Sequence, residues 1–101
     1  RALRVMHEDP AHPWTLNKLA EAAGASRASL ARRFHDLVGQ PPMTFLKHWR
    51  MALAADLLCQ PDETLTTVAE KVGYSTPFAF SAAFKRVRGL SPQEHRADAL
   101  S

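Results

Sequence analysis

The chain has 101 residues and one cysteine, and its 13 Lys and Arg residues outnumber its 10 Asp and Glu residues. This length fits one domain, and a single cysteine excludes an internal disulfide framework and a cysteine-rich zinc site. No apolar run approaches the roughly 20 residues that a membrane span needs, and no signal-peptide pattern opens the chain. We therefore expect a cytoplasmic protein with no membrane partner.

The chain begins with a short predicted helix from Ala2 to His7. Pro10 and Pro13 follow it and end it, because the residue before a proline is pushed out of the α region. Thr15 then has the position of an N-cap for a second helix. Four apolar residues of that helix fall at i, i+3, i+4 and i+7, namely Leu16, Leu19, Ala20 and Ala23. This spacing predicts one face packed on the core.

A third helix is predicted from an N-cap at Ser26 to about Val38. Gly39 and the Pro41-Pro42 pair end it. We expect Leu30, Phe34 and Leu37 to face the core. The residues left on a separate, outward face are Ala28, Ala31, Arg32 and His35.

The longest uninterrupted helical pattern runs from about Thr44 to Cys59. Its apolar residues cover a wide arc, in one stripe of Phe45, Trp49 and Ala52 and another of Leu46, Leu53 and Leu57. Such a helix is roughly 24 Å long at about 1.5 Å per residue, and we expect it to touch both halves of the chain. Cys59 is interpreted as a small buried hydrophobic residue rather than a reactive thiol.

The C-terminal part of the chain repeats the N-terminal part. The segment from Leu16 to Gly24 returns 49 residues later as Leu65 to Gly73. The next helix returns with an offset of 50, so that Leu30, Phe34, Leu37 and Gly39 correspond to Phe80, Phe84, Val87 and Gly89. The second copy therefore has one extra residue in its turn. Two copies of helix, glycine turn and helix predict two helix-turn-helix motifs that read successive stretches of DNA.

Three further signals mark the ends of the last two predicted helices. Ser75 or Thr76 is expected to cap the first of them, with Pro77 in its first turn, where a missing N–H costs nothing. Gly89 ends it. The segment Ser91-Pro92-Gln93-Glu94 has the pattern of a newly capped helix start.

Positive charge is concentrated on the second helix of each copy. From Ala22 to His35 there are three arginines and no acidic residue, and from Lys71 to Gln93 there are four basic residues and no acidic one. For a single helix, a solvated basic face would explain such a pattern. Its recurrence in both copies favours a surface that DNA phosphates approach.

A helix that enters the major groove needs small side chains and a few groups that meet base edges. We therefore assign base contacts to Ala28, Ser29, Ala31, Arg32, Phe78 and Ser81. Phosphate contacts are assigned to Ser26, Arg27, Arg33, His35, Ser75, Thr76, Lys85, Arg86 and Arg88. Arg32 can bond guanine in a bidentate way, and Ala28 and Ala31 can lie against thymine methyls. For Phe78 two interpretations stay open, contact with a thymine methyl or packing back onto the core.

Nine short motifs follow one another in the order Pro13-Trp14-Thr15-Leu16, Ala20-x3-Gly24-x-Ser26, Leu30-x3-Phe34, Gly39-x2-Pro42, Arg50-x3-Ala54-x2-Leu57-Leu58, Val68-Ala69, Gly73-Tyr74-Ser75, Phe80-x3-Phe84-Lys85-Arg86 and Gly89-x-Ser91-Pro92. This order, which covers about Val5 to Arg96, resembles the AraC/XylS-type DNA-binding domain. The resemblance implies an all-α array of seven helices that binds adjacent major-groove segments of double-stranded DNA. We expect a first helix-turn-helix subdomain over 1–43, a linking helix over 44–60 and a second helix-turn-helix subdomain over 61–101.

The resemblance also implies partners. Members of this family mostly activate transcription beside a promoter or operator and touch RNA polymerase. Most carry a separate effector or dimerisation domain, so we expect this chain to be a fragment of a longer transcription regulator.

The chain departs from the family pattern at two positions. His95 stands where the family usually has tyrosine, and Ala82 stands where a polar residue or arginine is common. We therefore expect the first copy to read bases and the second chiefly to hold phosphates. Arg50 matches a family position, which we interpret as an internal ion pair, with a DNA contact as the alternative.

Catalysis finds little support in the sequence. The five histidines show no metal-ligand spacing, and no phosphate-binding glycine loop is present. We predict a non-enzyme without cofactor or metal. Two alternatives are a helical protein-interaction module, which would present large apolar side chains outward, and the AraC-like segment of a DNA-repair alkyltransferase.

Overall fold

The computed structural model describes all 101 residues and contains seven α-helices and no strand. The helices are α1 (Ala2–Glu8), α2 (Leu16–Ala23), α3 (Arg27–Val38), α4 (Pro42–Leu58), α5 (Leu65–Lys71), α6 (Pro77–Arg88) and α7 (Pro92–Leu100). The prediction of an all-α array of seven helices, with a long central helix between two helix-turn-helix motifs, is confirmed.

Local side-chain caps explain where most of these helices begin. Thr15 and Ser26 each accept a hydrogen bond from the backbone N–H three residues later, as their positions predict. Thr76 caps α6 in the same way, with Pro77 as the first helical residue. Of the two residues that the sequence offered for this cap, the structure uses Thr76.

The two repeated helices α2 and α5 end in the same way. The N–H groups of Gly24 and Ala25 donate to the carbonyls of Glu21 and Ala20 over 3.1 and 2.9 Å. The equivalent N–H groups of Gly73 and Tyr74 donate to Glu70 and Ala69 over the same distances. Both glycines have positive φ, +67° and +88°, which a residue with a Cβ adopts only with strain.

Two hydrophobic clusters form the core, and α4 contributes to both. The N-terminal cluster consists of Ala2, Met6, Leu19, Ala20, Leu30, Phe34 and Leu46. The C-terminal cluster consists of Met51, Ala54, Ala55, Leu58, Val68, Ala69, Val72, Phe80, Ala83 and Phe84. We call α1 to α3 the first half and α5 to α7 the second half. The molecule measures 45 × 22 × 19 Å and is therefore elongated.

The structure corrects one core assignment in α3. Leu37 is 86% exposed, so the prediction that it faces the core is wrong. Leu30 and Phe34 are buried one helical turn apart, and the next residue on that stripe is Val38, which packs against the N-terminal cluster. Leu37 lies instead beside α1, where it lines an apolar groove of about 320 Å³ with Leu3 and Leu30.

The central helix also differs from its prediction at both ends. It begins at Pro42, two residues early, because proline fits the first turn of a helix. It ends at Leu58, which takes the buried position. Cys59 follows as the C-cap and is exposed, so the prediction that it is buried is wrong.

The last helix is attached to α4 through two neighbouring side chains. Nε2 of His95 lies 3.0 Å from the carbonyl oxygen of Ala55, and its ring meets Phe84 edge-on. Arg96 donates to the carbonyls of Leu58 and Glu63 over 2.8 and 2.6 Å. His95 therefore has a packing role at the position where the sequence departs from the family pattern.

Candidate nucleic-acid interface

Helix α3 presents a small, basic face to solvent. Ala28, Arg32 and His35 are exposed, and Ala31 is partly exposed, while Leu30 and Phe34 are buried on the opposite side. The first turn of α3 contains no acidic residue. Its outward face therefore combines small side chains, which let the backbone approach a partner, with an extended guanidinium.

Two of the predicted contact residues of α3 bind each other. Nε and Nη2 of Arg33 donate to Oγ of Ser29 over 3.2 and 2.9 Å. Arg33 also lines the apolar groove beside Leu37. Ser29 and Arg33 thus lie on a stripe next to the face that Ala28 and Arg32 form.

Helix α6 presents a face of different chemistry. Phe78 is 87% exposed, so the interpretation in which it packs back onto the core is wrong. Together with Ser81, Ala82 and Lys85 it lines one shallow depression, so the structure brings the predicted base contacts Phe78 and Ser81 together with the predicted phosphate contact Lys85. Arg86 and Ser91 complete the lining.

Ser91 was not among the predicted contact residues, although the sequence marked it as the start of a capped helix, a position like those of the predicted contacts Ser26 and Thr76. Its backbone N–H donates to the carboxylate of Glu94 over 2.8 Å. This bond lowers the pKa of Glu94 below its ordinary value. A carboxylate already occupies the N-terminus of α7, so we do not assign an anion to that helix end.

The basic residues of both faces have no acidic partner. The ion pairs of the molecule are Arg4 with Glu8, His12 with Asp9, and Lys71 with Glu63. None of them involves α3 or α6. The exposed cationic side chains of these two helices that form no ion pair are Arg27, Arg32, Arg33, Lys85, Arg86 and Arg88, although Glu94 lies close enough to Lys85 for their charges to interact. Exposed cations without an ion-pair partner attract polyanions.

The remaining predicted contacts lie at the starts of the two helices. Ser26 and Thr76 are exposed, and each hydroxyl oxygen accepts a backbone hydrogen bond as an N-cap. Ser75 and Arg27 are exposed beside them. The hydroxyl hydrogens of the caps stay free to donate outward, as a phosphate contact would require.

Arg50 lies away from both faces and is partly buried. Its Nε donates to the carbonyl of Pro10 over 2.7 Å, and its Nη2 donates to that of His12 over 2.8 Å. The prediction of an internal ion pair is therefore wrong, because both partners are backbone carbonyls. Burial lowers the pKa of Arg50, and nearby Tyr74 acts in the opposite direction.

No group of three or more His, Cys, Asp and Glu side chains is placed to hold a metal ion. None of the seven helices combines the length and apolar character needed to cross a membrane.

Comparison with protein families gives a match to a model described as a helix-turn-helix domain, over residues 19–98. An AraC-like transcription regulator of Streptomyces antibioticus is 46% identical over 95 residues, which are 94% of this chain and 31% of that protein. The activator RclR of Escherichia coli (strain K12) is 37% identical over 94 residues, 93% of this chain and 33% of that protein. The chain thus spans about a third of the length of these relatives.

Solved structures give a corresponding match. The DNA-binding domain of AdpA in complex with a target DNA superimposes with a TM-score of 0.88 and 31% identity, covering 96% of this chain and 87% of that chain. The C-terminal domain of AraT, a response regulator from Geobacillus stearothermophilus, gives a TM-score of 0.87 and 31% identity, covering 96% of this chain and 80% of that one.

Proposed function

Because this chain belongs to the family of AraC-type helix-turn-helix domains, we propose that it binds double-stranded DNA at a promoter or operator. The observation that carries the proposal is the pair of exposed helices, α3 and α6, whose cationic side chains have no acidic partner. A duplex carries one negative charge per about 1.7 Å of its axis, so electrostatic attraction would favour placing both helices against it.

Within this proposal α3 reads bases. Arg32 is exposed and forms no bond inside the protein, so its guanidinium is free to bond guanine O6 and N7. Ala28 and Ala31 beside it are small enough to lie against thymine methyls. Ser29 keeps a hydroxyl hydrogen to donate while its oxygen accepts from Arg33.

Helix α6 chiefly anchors the protein on the duplex. Lys85, Arg86 and Arg88 would meet phosphates, which position a protein without specifying sequence. Phe78 and Ser81 are the groups of α6 that we assign to base contacts, and the exposed ring of Phe78 suits a thymine methyl. On the faces that we assign to DNA the large apolar side chain is Phe78, whereas Leu37, the other exposed one of α3 and α6, lines the groove beside α1.

The chain would act as one part of a longer regulator. We assign 1–43 and 61–101 to the two reading subdomains and 44–60 to the segment that links them, which contains most of α4. RclR, one of the relatives, is named as a transcriptional activator. We infer the same sign of regulation here, with contact to RNA polymerase, an effector or dimerisation domain outside this segment, a cytoplasmic location and no catalytic role.

Selection of binding sites from a random duplex pool tests this proposal. We expect one enriched sequence with two recognised segments. Fluorescence anisotropy on the selected duplex should show an affinity that falls steeply as salt rises. The logarithm of the association constant should fall against the logarithm of the salt concentration with a slope of about −0.9 per phosphate contacted. Failure to bind any duplex at low salt, even non-specifically, would contradict the proposal.

A further inference from the structure

The two halves of the molecule are joined mainly through α4. Leu46 of this helix belongs to the N-terminal cluster and Met51 belongs to the C-terminal cluster. No helix of the first half packs extensively against a helix of the second half. Each half packs on the side of α4, and a direct contact that joins the two halves away from the helix axis restricts their relative rotation further.

Arg50 makes such an off-axis contact with the first half. Arg50 lies in the sequence between Leu46 and Met51, which belong to different clusters. Its guanidinium donates to the carbonyls of Pro10 and His12. These carbonyls belong to the loop that connects α1 to α2, 38 to 40 residues away. The site is partly buried, so water competes less for both hydrogen bonds than it would on an open surface.

The same guanidinium lies against the second half. A Cβ placed on Gly73 would be 3.2 Å from Cζ of Arg50 and 3.1 Å from the carbonyl oxygen of Ala11. Gly73 is the positive-φ residue of the second turn, three residues before the cap of α6. The missing side chain therefore lets the loop of the first half, the guanidinium and the turn of the second half meet closely.

We propose that Arg50 is a positioning residue that fixes the rotation of the second helix-turn-helix against the first, and so sets the spacing of the two DNA segments that the domain recognises. This inference rests on the proposed function. We call the contact of Arg50 with Pro10, His12 and Gly73 the Arg50 clasp. A planar guanidinium holds two acceptors in a fixed geometry, which the single ammonium of lysine does not.

Spacing preference is the direct readout. The selected duplex is compared with duplexes that carry one base pair more or fewer between the two recognised segments. Wild-type protein should prefer the selected spacing. Arg50→Ala should reduce that preference roughly two- to thirtyfold while binding to random duplex stays unchanged. The spacing preference of Arg50→Lys should lie between those of the wild type and of Arg50→Ala.

Arg96→Ala is the matched control. Arg96 also donates to backbone carbonyls, at Leu58, Gln60 and Glu63, but all of these partners lie at the end of α4 or in the loop between α4 and α5. This variant should lose stability and keep the spacing preference. If it lost the preference as strongly as Arg50→Ala, a general loosening of the fold would explain the data and the Arg50 clasp would be overturned.

A measurement without DNA separates this inference from the proposed function. In a Cys59→Ser background, Glu21→Cys and Glu70→Cys place spin labels on exposed positions of α2 and α5. The distance distribution should be narrow in this parent, broader with Arg50→Ala and unchanged with Arg96→Ala. If Arg50→Ala does not fold, Arg50→Lys serves in its place.

The outcomes are distinct. An unchanged distribution and an unchanged spacing preference in the Arg50 variants would overturn the Arg50 clasp and leave the DNA-binding proposal intact. A parent protein that binds no duplex would overturn the proposed function, and the spin-label distances would then still support or refute the mechanical role of Arg50.

Discussion

The turn at Gly24 and the turn at Gly73 have the same backbone hydrogen bonds but different surroundings. A Cβ on Gly24 would meet no atom within 4 Å, whereas one on Gly73 would press on Ala11 and Arg50. The outward faces differ too, since α3 exposes Arg32 where α6 has Ala82. A repeat can thus preserve its backbone turns and its core while its two copies acquire different tertiary partners.

The largest effects should come from the cores, where the two halves are alike. Phe34 and Phe84 are equivalent in the repeat and are 5% and 0% exposed. Replacing either by alanine should cost about 3 to 5 kcal/mol of the free energy of unfolding, because a buried ring leaves a cavity. Phe84→Ala should lie at the upper end, since its ring also packs on Phe80 and His95.

Urea unfolding followed by circular dichroism measures this pair. A loss below about 1 kcal/mol at either site would contradict the assignment of that ring to its core, because truncation of a fully buried ring rarely costs so little.

Substitutions in the two glycine turns should differ in their cost to stability. Gly24→Ala should cost about 1 to 2 kcal/mol, the strain of a left-handed residue with a Cβ. Gly73→Ala should cost about 1 to 3 kcal/mol more, because its Cβ also presses on the carbonyl of Ala11 and on Arg50. The free energies of unfolding of both variants, measured side by side, check the difference. Equal losses would show that the second turn is as open as the first.

The outward faces should differ in how a lost charge affects DNA binding. Arg32→Ala should cost about 1 to 3 kcal/mol of binding free energy on the selected duplex and relax preference at one base pair. Lys85→Ala should weaken binding to all duplexes alike and reduce the salt slope by about 1.

Arg4→Ala is the control for this pair, because Arg4 is an exposed cation of α1 that is paired with Glu8. It should change neither the preference nor the salt slope. The opposite pattern, with Lys85 setting the sequence preference and Arg32 acting on every duplex, would reverse the division of work between α3 and α6.

The smallest effect should appear in acid, at the carboxylate of Glu63 just before α5. Glu63 is 11% exposed, and hydrogen bonds from Lys71 and Thr67 lower its pKa. A carboxylate whose pKa is lower in the folded than in the unfolded protein stabilises the fold above its unfolded pKa of about 4.3. That contribution is lost as the pH falls through the lowered folded value. The equivalent position of the first half holds Trp14, which does not titrate.

Thermal unfolding between pH 7 and pH 3 tests this expectation. Glu63→Gln should be less stable than wild type at neutral pH and should approach it in acid. Gaps of equal size at both ends of the range would assign the loss to packing rather than to charge.

The core stripes and the limits of most helices, α4 excepted, were predictable from the sequence, whereas several side-chain roles were not. Thr15, Ser26 and Ser91 cap helices through bonds that close within three residues, so their neighbours in the chain suffice to define them. Whether a residue at the edge of an apolar stripe is buried depends on what packs beside it. For this reason Leu37 and Cys59 were assigned to the core and are exposed.

The contact residues of α3 and α6 likewise include some that a local pattern predicts and some that depend on tertiary packing. Phe78, Ser81 and Lys85 fall at i, i+3 and i+7, a spacing that places them on one helix face, and the structure brings them together. The bond between Ser29 and Arg33 and the nearness of Ser91 depend on rotamers and on the packing of α7, which no local pattern encodes.

The sequence by itself therefore determined a repeated helix-turn-helix with a basic second helix in each copy, because periodicity, caps and glycine turns are all local. Only the tertiary structure decided what joins the two copies. The partners of Arg50 lie 38 to 40 residues away, and backbone carbonyls are present at every residue, so no pattern in the chain marks the ones it binds.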